Sequence, residues 1–102
     1  MENWQSEIEQ SAYELIQVDW ALPDFQSKWS EQELLAILAR AIEQLLNRDF
    51  EKLLQLCYRI DLGEEKLRKI LHESEPDQIS MDLAKALWER QKQKAEIRRK
   101  YS

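Results

Sequence analysis

Apolar residues recur at three- and four-residue steps through the middle of the chain. Leu34, Leu35, Ile37, Leu38, Ala41, Ile42, Leu45 and Leu46 fall on one wide helical face, with Glu33, Arg40, Glu43 and Gln44 opposite. The spacing predicts a helix buried on one side. Ser30 and Glu33 stand at capping-box distance, where the hydroxyl accepts the third backbone amide and the carboxylate reaches back to the cap's own amide, so the helix starts at Ser30. The stripe runs on through Phe50, Leu53, Leu54, Cys57 and Ile60, and periodicity alone permits one long helix. Asn47 and Asp49 argue otherwise: their short polar side chains prefer capping amides to a helix interior, and unbroken helices of about 30 residues are uncommon in small domains. A break or tight turn is expected at Asn47 to Asp49. Asp61 and Glu64 form a second capping-box spacing around Gly63, the chain's one glycine, which predicts a short helix from about Leu62 to His72 burying Leu67, Ile70 and Leu71.

Either side of this stretch the pattern is looser. Ile8, Ala12, Leu15 and Ile16 fit one face of a helix over about Gln5 to Gln17, while Ile16, Val18 and Trp20 alternate like a strand. A lone strand has nothing to pair with. The expectation is a helix that ends before Leu22-Pro23, because a residue preceding proline is pushed out of helical geometry. Trp20, Phe25 and Trp29 then pack a non-helical connection onto the core, and the alternative is an exposed aromatic and acidic docking segment. Past His72, Pro76 breaks the helix, and Ser74 with Asp77 suggests a new start. The last helix is expected from about Glu75 toward Lys100, burying Ile79, Leu83, Ala86 and Leu87, and its final turns extend past the core or rest on another molecule.

Composition narrows the class. One glycine and two prolines in 102 residues leave few sites for β-turns, and Leu, Glu, Gln, Lys and Ala dominate. The fold expected is all-α, a compact bundle of four or five helices with an extended basic C-terminal helix. It is one domain, in which an acidic, aromatic segment over residues 1–29 packs on a core formed by residues 30–102. No apolar run approaches the roughly 18 residues that span a bilayer, Met1 is followed by acidic and polar residues, and one cysteine cannot form an internal disulfide. Together these read as a cytoplasmic protein with no membrane association.

Charge is distributed unevenly. Residues 1–33 carry eight acids and one base, residues 34–77 nine acids and seven bases, and residues 78–102 three acids and seven bases. Such an asymmetry orients partners or lets the ends of two copies attract. The basic residues of the last helix, Lys85, Arg90, Lys92, Lys94, Arg98, Arg99 and Lys100, encircle it rather than form a stripe.

The runs RDFEKLLQLCYRIDLGEEKLRKIL and ERQKQKAEIRRKY resemble a small family of bacterial all-helical proteins with a YRID-type turn and a basic, Gln-containing final helix. The resemblance covers residues 48–101. It implies an intracellular bacterial protein and a helix break before Phe50, and it brings no activity with it.

No residue group reads as a catalytic, metal or nucleotide site, so no enzyme activity, cofactor or small-molecule substrate is inferred. Cys57 shares a face with Leu53, Leu54 and Ile60 and is expected as a buried, inert thiol. His72, Glu73, Glu75 and Asp77 lack the spacing of an EF-hand or HExxH motif and read as helix-terminating residues. Tyr58, Arg59 and Asp61 read as a structural corner, with Arg59 paired to Asp61 or to an acid of the N-terminal segment. The expected function is therefore a non-enzymatic protein–protein interaction module, an adaptor or a subunit that binds another protein or a second copy through the C-terminal helix. Trp88, Ile97 and Tyr101 are its contact stripe, with Trp4 and Trp20 second. The alternative is a nucleic-acid-associated protein using the basic C-terminal helix. It ranks below because a pI near 4.9 is the wrong electrostatic footprint and Lys66, Arg68 and Lys69 share their helix with Glu64, Glu65 and Glu73.

Overall fold

The predicted cap at Ser30 forms in full. In the computed structural model, Ser30 Oγ accepts the Glu33 amide at 3.1 Å and Glu33 Oε1 accepts the Ser30 amide at 3.1 Å, opening helix α2 (Glu31–Arg48). The structure describes the backbone of residues 4–26 and 28–101, and the side chains of residues 7–26, 28–98 and 100. Helix α1 (Trp4–Gln17) precedes α2, and α3 (Phe50–Ile60), α4 (Glu64–Glu73) and α5 (Ile79–Tyr101) follow. The fold is an all-α bundle, and among the described residues no helix is long and apolar enough to cross a membrane.

The expected break narrows to one residue. Asp49 leaves helical geometry at φ −152°, its amide donates to the Leu45 carbonyl at 2.8 Å, and its carboxylate accepts the Lys52 amide at 3.1 Å. One side chain thus closes α2 and opens α3, an arrangement a short carboxylate suits. The change of direction also shifts the helical phase. Phe50, read from sequence as part of the buried stripe, sits at the surface, while Leu53, Leu56, Cys57 and Ile60 turn inward.

The second capping box does not form. Asp61 takes the left-handed conformation at φ 63°, its amide donates to the Tyr58 carbonyl at 3.0 Å, and the Leu62 amide donates to the Cys57 carbonyl at 3.1 Å. These paired bonds are a Schellman ending of α3, with Leu62 buried as the apolar residue that follows it. Gly63, at φ 96°, then caps α4 with no side-chain bond. Asp61 closes the helix before it rather than opening the one after, because left-handed geometry is tolerated by Asp more readily than by most residues.

The last helix starts later than its sequence suggests. Glu75, Pro76, Asp77 and Gln78 form a turn closed by the Gln78 amide on the Glu75 carbonyl at 2.8 Å, with proline at the position its fixed φ favours. The Gln78 carbonyl accepts the Asp82 amide at 2.8 Å, and Ser74 Oγ donates to Asp82 Oδ2 at 2.7 Å instead of pairing with Asp77 as a cap. Helix α5 is the axis of the bundle, packed most extensively against α2 and α1. Leu83, Ala84, Leu87 and Trp88 are closed off from solvent, and Ala95 is buried two turns further on. The core therefore continues past Trp88, contrary to expectation. Helix α1 lies against that part of α5 and contributes Ile8, Ala12, Tyr13 and Ile16 to the same core.

The link from α1 to α2 folds back onto the core. The Trp20 and Leu22 amides donate to the Ile16 and Gln17 carbonyls at 3.0 Å each, which ends α1 before Leu22-Pro23. Tyr13, Phe25 and Trp29 form a ring cluster with centroids 5.4 to 6.0 Å apart in tilted or edge-on contact, and the Tyr13 hydroxyl donates to the Pro23 carbonyl. Aromatic weight in the acidic segment is thus mostly packing. Leu15, assigned to the buried face of α1, is half exposed, and Val18 lies open.

Candidate functional site

The expected contact stripe does not assemble on the surface. Trp88 is only 1% exposed, among the most completely buried side chains of the protein, because a helix flanked by both α1 and α2 buries most of its circumference at that level. Trp20 is also in the core, carried there by the turn that follows α1. Neither offers a partner any area. Ile97 is 53% exposed and remains available, while the side chains of Trp4 and Tyr101 lie outside the described residues.

Three of the basic residues of α5 are committed within the fold. Lys94 Nζ donates to the Arg59 carbonyl at 3.1 Å and Arg90 Nε to the Asp61 carbonyl at 3.2 Å, so two cations from α5 rest on the negative, carbonyl end of α3. Lys92 is mostly buried between Glu31 at 3.7 Å and Glu89 at 3.8 Å. Lys85 and Lys100 project from the surface, Arg98 borders a cavity, and the Arg99 side chain lies outside the described residues. The sequence shows seven bases around one helix; their non-local acceptors are invisible to it.

Arg59 finds its acid in the N-terminal segment. Its Nη1 lies 2.6 Å from Asp19 Oδ2, tying the end of α1 to the end of α3 across 40 residues of sequence. Both side chains are substantially exposed, so the pair orients more than it stabilises. Cys57 lies in the apolar interior, where burial pushes its thiol up to about 11. At neutral pH it is protonated and out of reach, the reverse of a nucleophile's setting. Among the described residues no three His, Cys, Asp or Glu side chains gather as metal ligands, and His72, Glu73, Glu75 and Asp77 sit exposed at the end of α4 and the turn beyond.

What the fold leaves uncovered is a groove between α3 and α4. Phe50, Leu54 and Tyr58 line one wall at successive helical turns, and Leu67, Leu71 and His72 line the other, around a volume of about 420 Å³. Phe50 is 43% and Tyr58 55% exposed, whereas Tyr13, Trp20 and Trp88 are buried and Phe25 and Trp29 half-buried. The Arg68–Glu64 pair, 3.2 Å apart, stands at the rim. The groove is hidden in the sequence because Phe50 and Leu54 continue the core periodicity. The four-residue spacing of Phe50, Leu54 and Tyr58 was its one legible trace. No protein-family model matches the chain, and no curated protein or solved structure matches it.

Proposed function

We propose that the protein is a non-enzymatic helical interaction module, an adaptor or a subunit of a larger complex, that receives an amphipathic helix of another protein in the α3–α4 groove. The observation that carries this reading is the exposure of two large aromatic side chains, Phe50 and Tyr58, in one groove with Leu54 and Leu71. Aromatic residues left at the surface are favoured contact anchors, and their one-turn spacing matches the row a partner helix presents at every third or fourth residue. This reading moves the contact from the C-terminal helix to α3 and α4, where the apolar area is open. Ile97 is a secondary contact on the far end of α5. The nucleic-acid alternative is weakened by the engagement of Arg90, Lys92 and Lys94 within the fold. The cytoplasm is the compartment this function takes, in keeping with a lone cysteine that has no second cysteine to pair with.

The experiment is affinity recovery of the tagged chain from native lysate with and without nuclease, beside a Phe50→Glu/Tyr58→Glu variant whose helical content is checked by circular dichroism. A protein recovered by the wild type in both conditions and lost from the folded variant supports the reading. Equal recovery by the variant, or loss of all recovered material after nuclease, overturns it.

A further inference from the structure

A second cavity, of about 320 Å³, lies between α1, α3 and α5, away from the α3–α4 groove. The apolar half of its lining is formed by Leu15, Ile16, Trp20, Leu56 and Ile60. One polar group is set among them. Gln91 is 4% exposed, the one buried polar side chain among the described residues, and its Nε2 donates to the Ala12 carbonyl at 3.2 Å. That bond fixes the carboxamide's orientation and leaves its Oε1 without a donor among the described residues. The oxygen is not sealed in, since the one sealed, unpaired side-chain atom among the described residues is the Trp88 indole nitrogen. Gln91 itself lines the cavity.

The mouth carries the opposite chemistry. Arg98 borders it with no bond to any described residue, while Lys94 and Arg59 beside it are held by the bonds already described. Asp19, the acid at this mouth, is occupied by Arg59 at 2.6 Å. A free guanidinium is thus left beside a half-apolar cavity that Gln91 also lines.

The geometry points to a binding site for a small amphiphilic anion: an apolar, ring-sized body with a hydrogen-bond donor for Gln91 Oε1 and a carboxylate for Arg98. The volume is roughly twice the ~150 Å³ cavity that admits a benzene ring, and it lies in the range of small-molecule sites, about 300 to 1,000 Å³. A bicyclic aromatic with a short acid arm fits that size. The donor and the carboxylate stand at opposite ends of such a ligand, as Gln91 and Arg98 stand at wall and mouth.

Indole-3-propionate is a probe with all three features. Titrated calorimetrically into the full chain, it is expected to bind saturably at one site, with the Gln91 side-chain amide and Arg98 Nε resonances shifting along the same isotherm. Arg98→Glu should weaken binding by about tenfold or more, since a charge-assisted bond is lost, whereas Lys85→Glu, an equal charge change at an exposed position away from the cavity, should not. The naphthalene analogue, which keeps the carboxylate but lacks the N–H, should bind several-fold more weakly. Absence of saturation up to about 5 mM, or equal weakening by Arg98→Glu and Lys85→Glu, would overturn the site. Undiminished binding of the naphthalene analogue would overturn the role of Gln91.

Discussion

Trp88 separates a core reading of α5 from a surface one, and it does so quantitatively. Truncating a buried tryptophan to alanine costs about 3 to 5 kcal/mol in lost transfer energy and residual cavity, against a total stability of about 5 to 15 kcal/mol for a domain of this size. Trp88→Ala should therefore remove about a fifth or more of the stability and lower the urea midpoint by roughly 2 M at a slope of about 2 kcal/mol per M. Trp88→Phe is more discriminating. The indole N–H has no acceptor among the described residues, and leaving such a donor buried costs about 1 to 3 kcal/mol. Phenylalanine removes that donor while vacating about 40 Å³, a cavity cost near 1 kcal/mol. The relieved donor matches or outweighs that cost, so the net change should run from about zero to about 2 kcal/mol of stabilisation. Urea titrations followed by far-ultraviolet circular dichroism measure both variants. A Trp88→Ala protein within about 1 kcal/mol of wild type would refute the core placement. A Trp88→Phe protein destabilised by about 3 kcal/mol would refute the argument from the unpaired N–H.

Other substitutions test the joints and charges of the bundle. Asp49→Ala removes the carboxylate that accepts the Lys52 amide and should cost about 1 kcal/mol by urea unfolding. Gly63→Ala meets no atom within 4 Å, so its cost, about 1 kcal/mol in the same assay, would come from the positive φ of 96° alone. Asp19→Asn breaks an exposed ion pair and should change stability by no more than about 1 kcal/mol, with the difference shrinking as salt is raised. Burial holds the Cys57 thiol protonated to about pH 11, against an ordinary value near 9, so above pH 9 the unfolded chain binds fewer protons than the folded one. Stability is then fully present below pH 9 and falls as pH rises toward 11. Cys57→Val should flatten the part of that fall that begins near pH 9, leaving a later fall from Tyr13, whose pKa is raised by burial and then by Asp24.

The legible features of this chain were the local ones. Capping and helix termination are settled within a few residues, so Ser30 with Glu33, a break within Asn47 to Asp49, and the stop before Leu22-Pro23 could be read directly. The same locality misled at Asp61 and Ser74, where two local uses of one polar residue competed. Left-handed closure of α3 prevailed at Asp61, and at Ser74 a bond to Asp82, eight residues on, replaced the cap. The α3–α4 groove was hidden for a related reason: periodicity identifies an apolar face without saying whether a neighbour covers it.

By itself the sequence determined an all-helical chain, the places where most of its helices begin and end, and the inward face of α2. Those follow from hydrogen bonds and side-chain periodicity over a turn or two of backbone. Only the tertiary structure decided which helix lay against which. Helix α1 came to rest on α5 and set Gln91 against the Ala12 carbonyl, 79 residues away in sequence. The fold also turned two cations of α5 onto the carbonyl end of α3 and brought Asp19 to Arg59. Burial and charge pairing depend on distances between segments, and a linear pattern contains no such distances until the chain has folded.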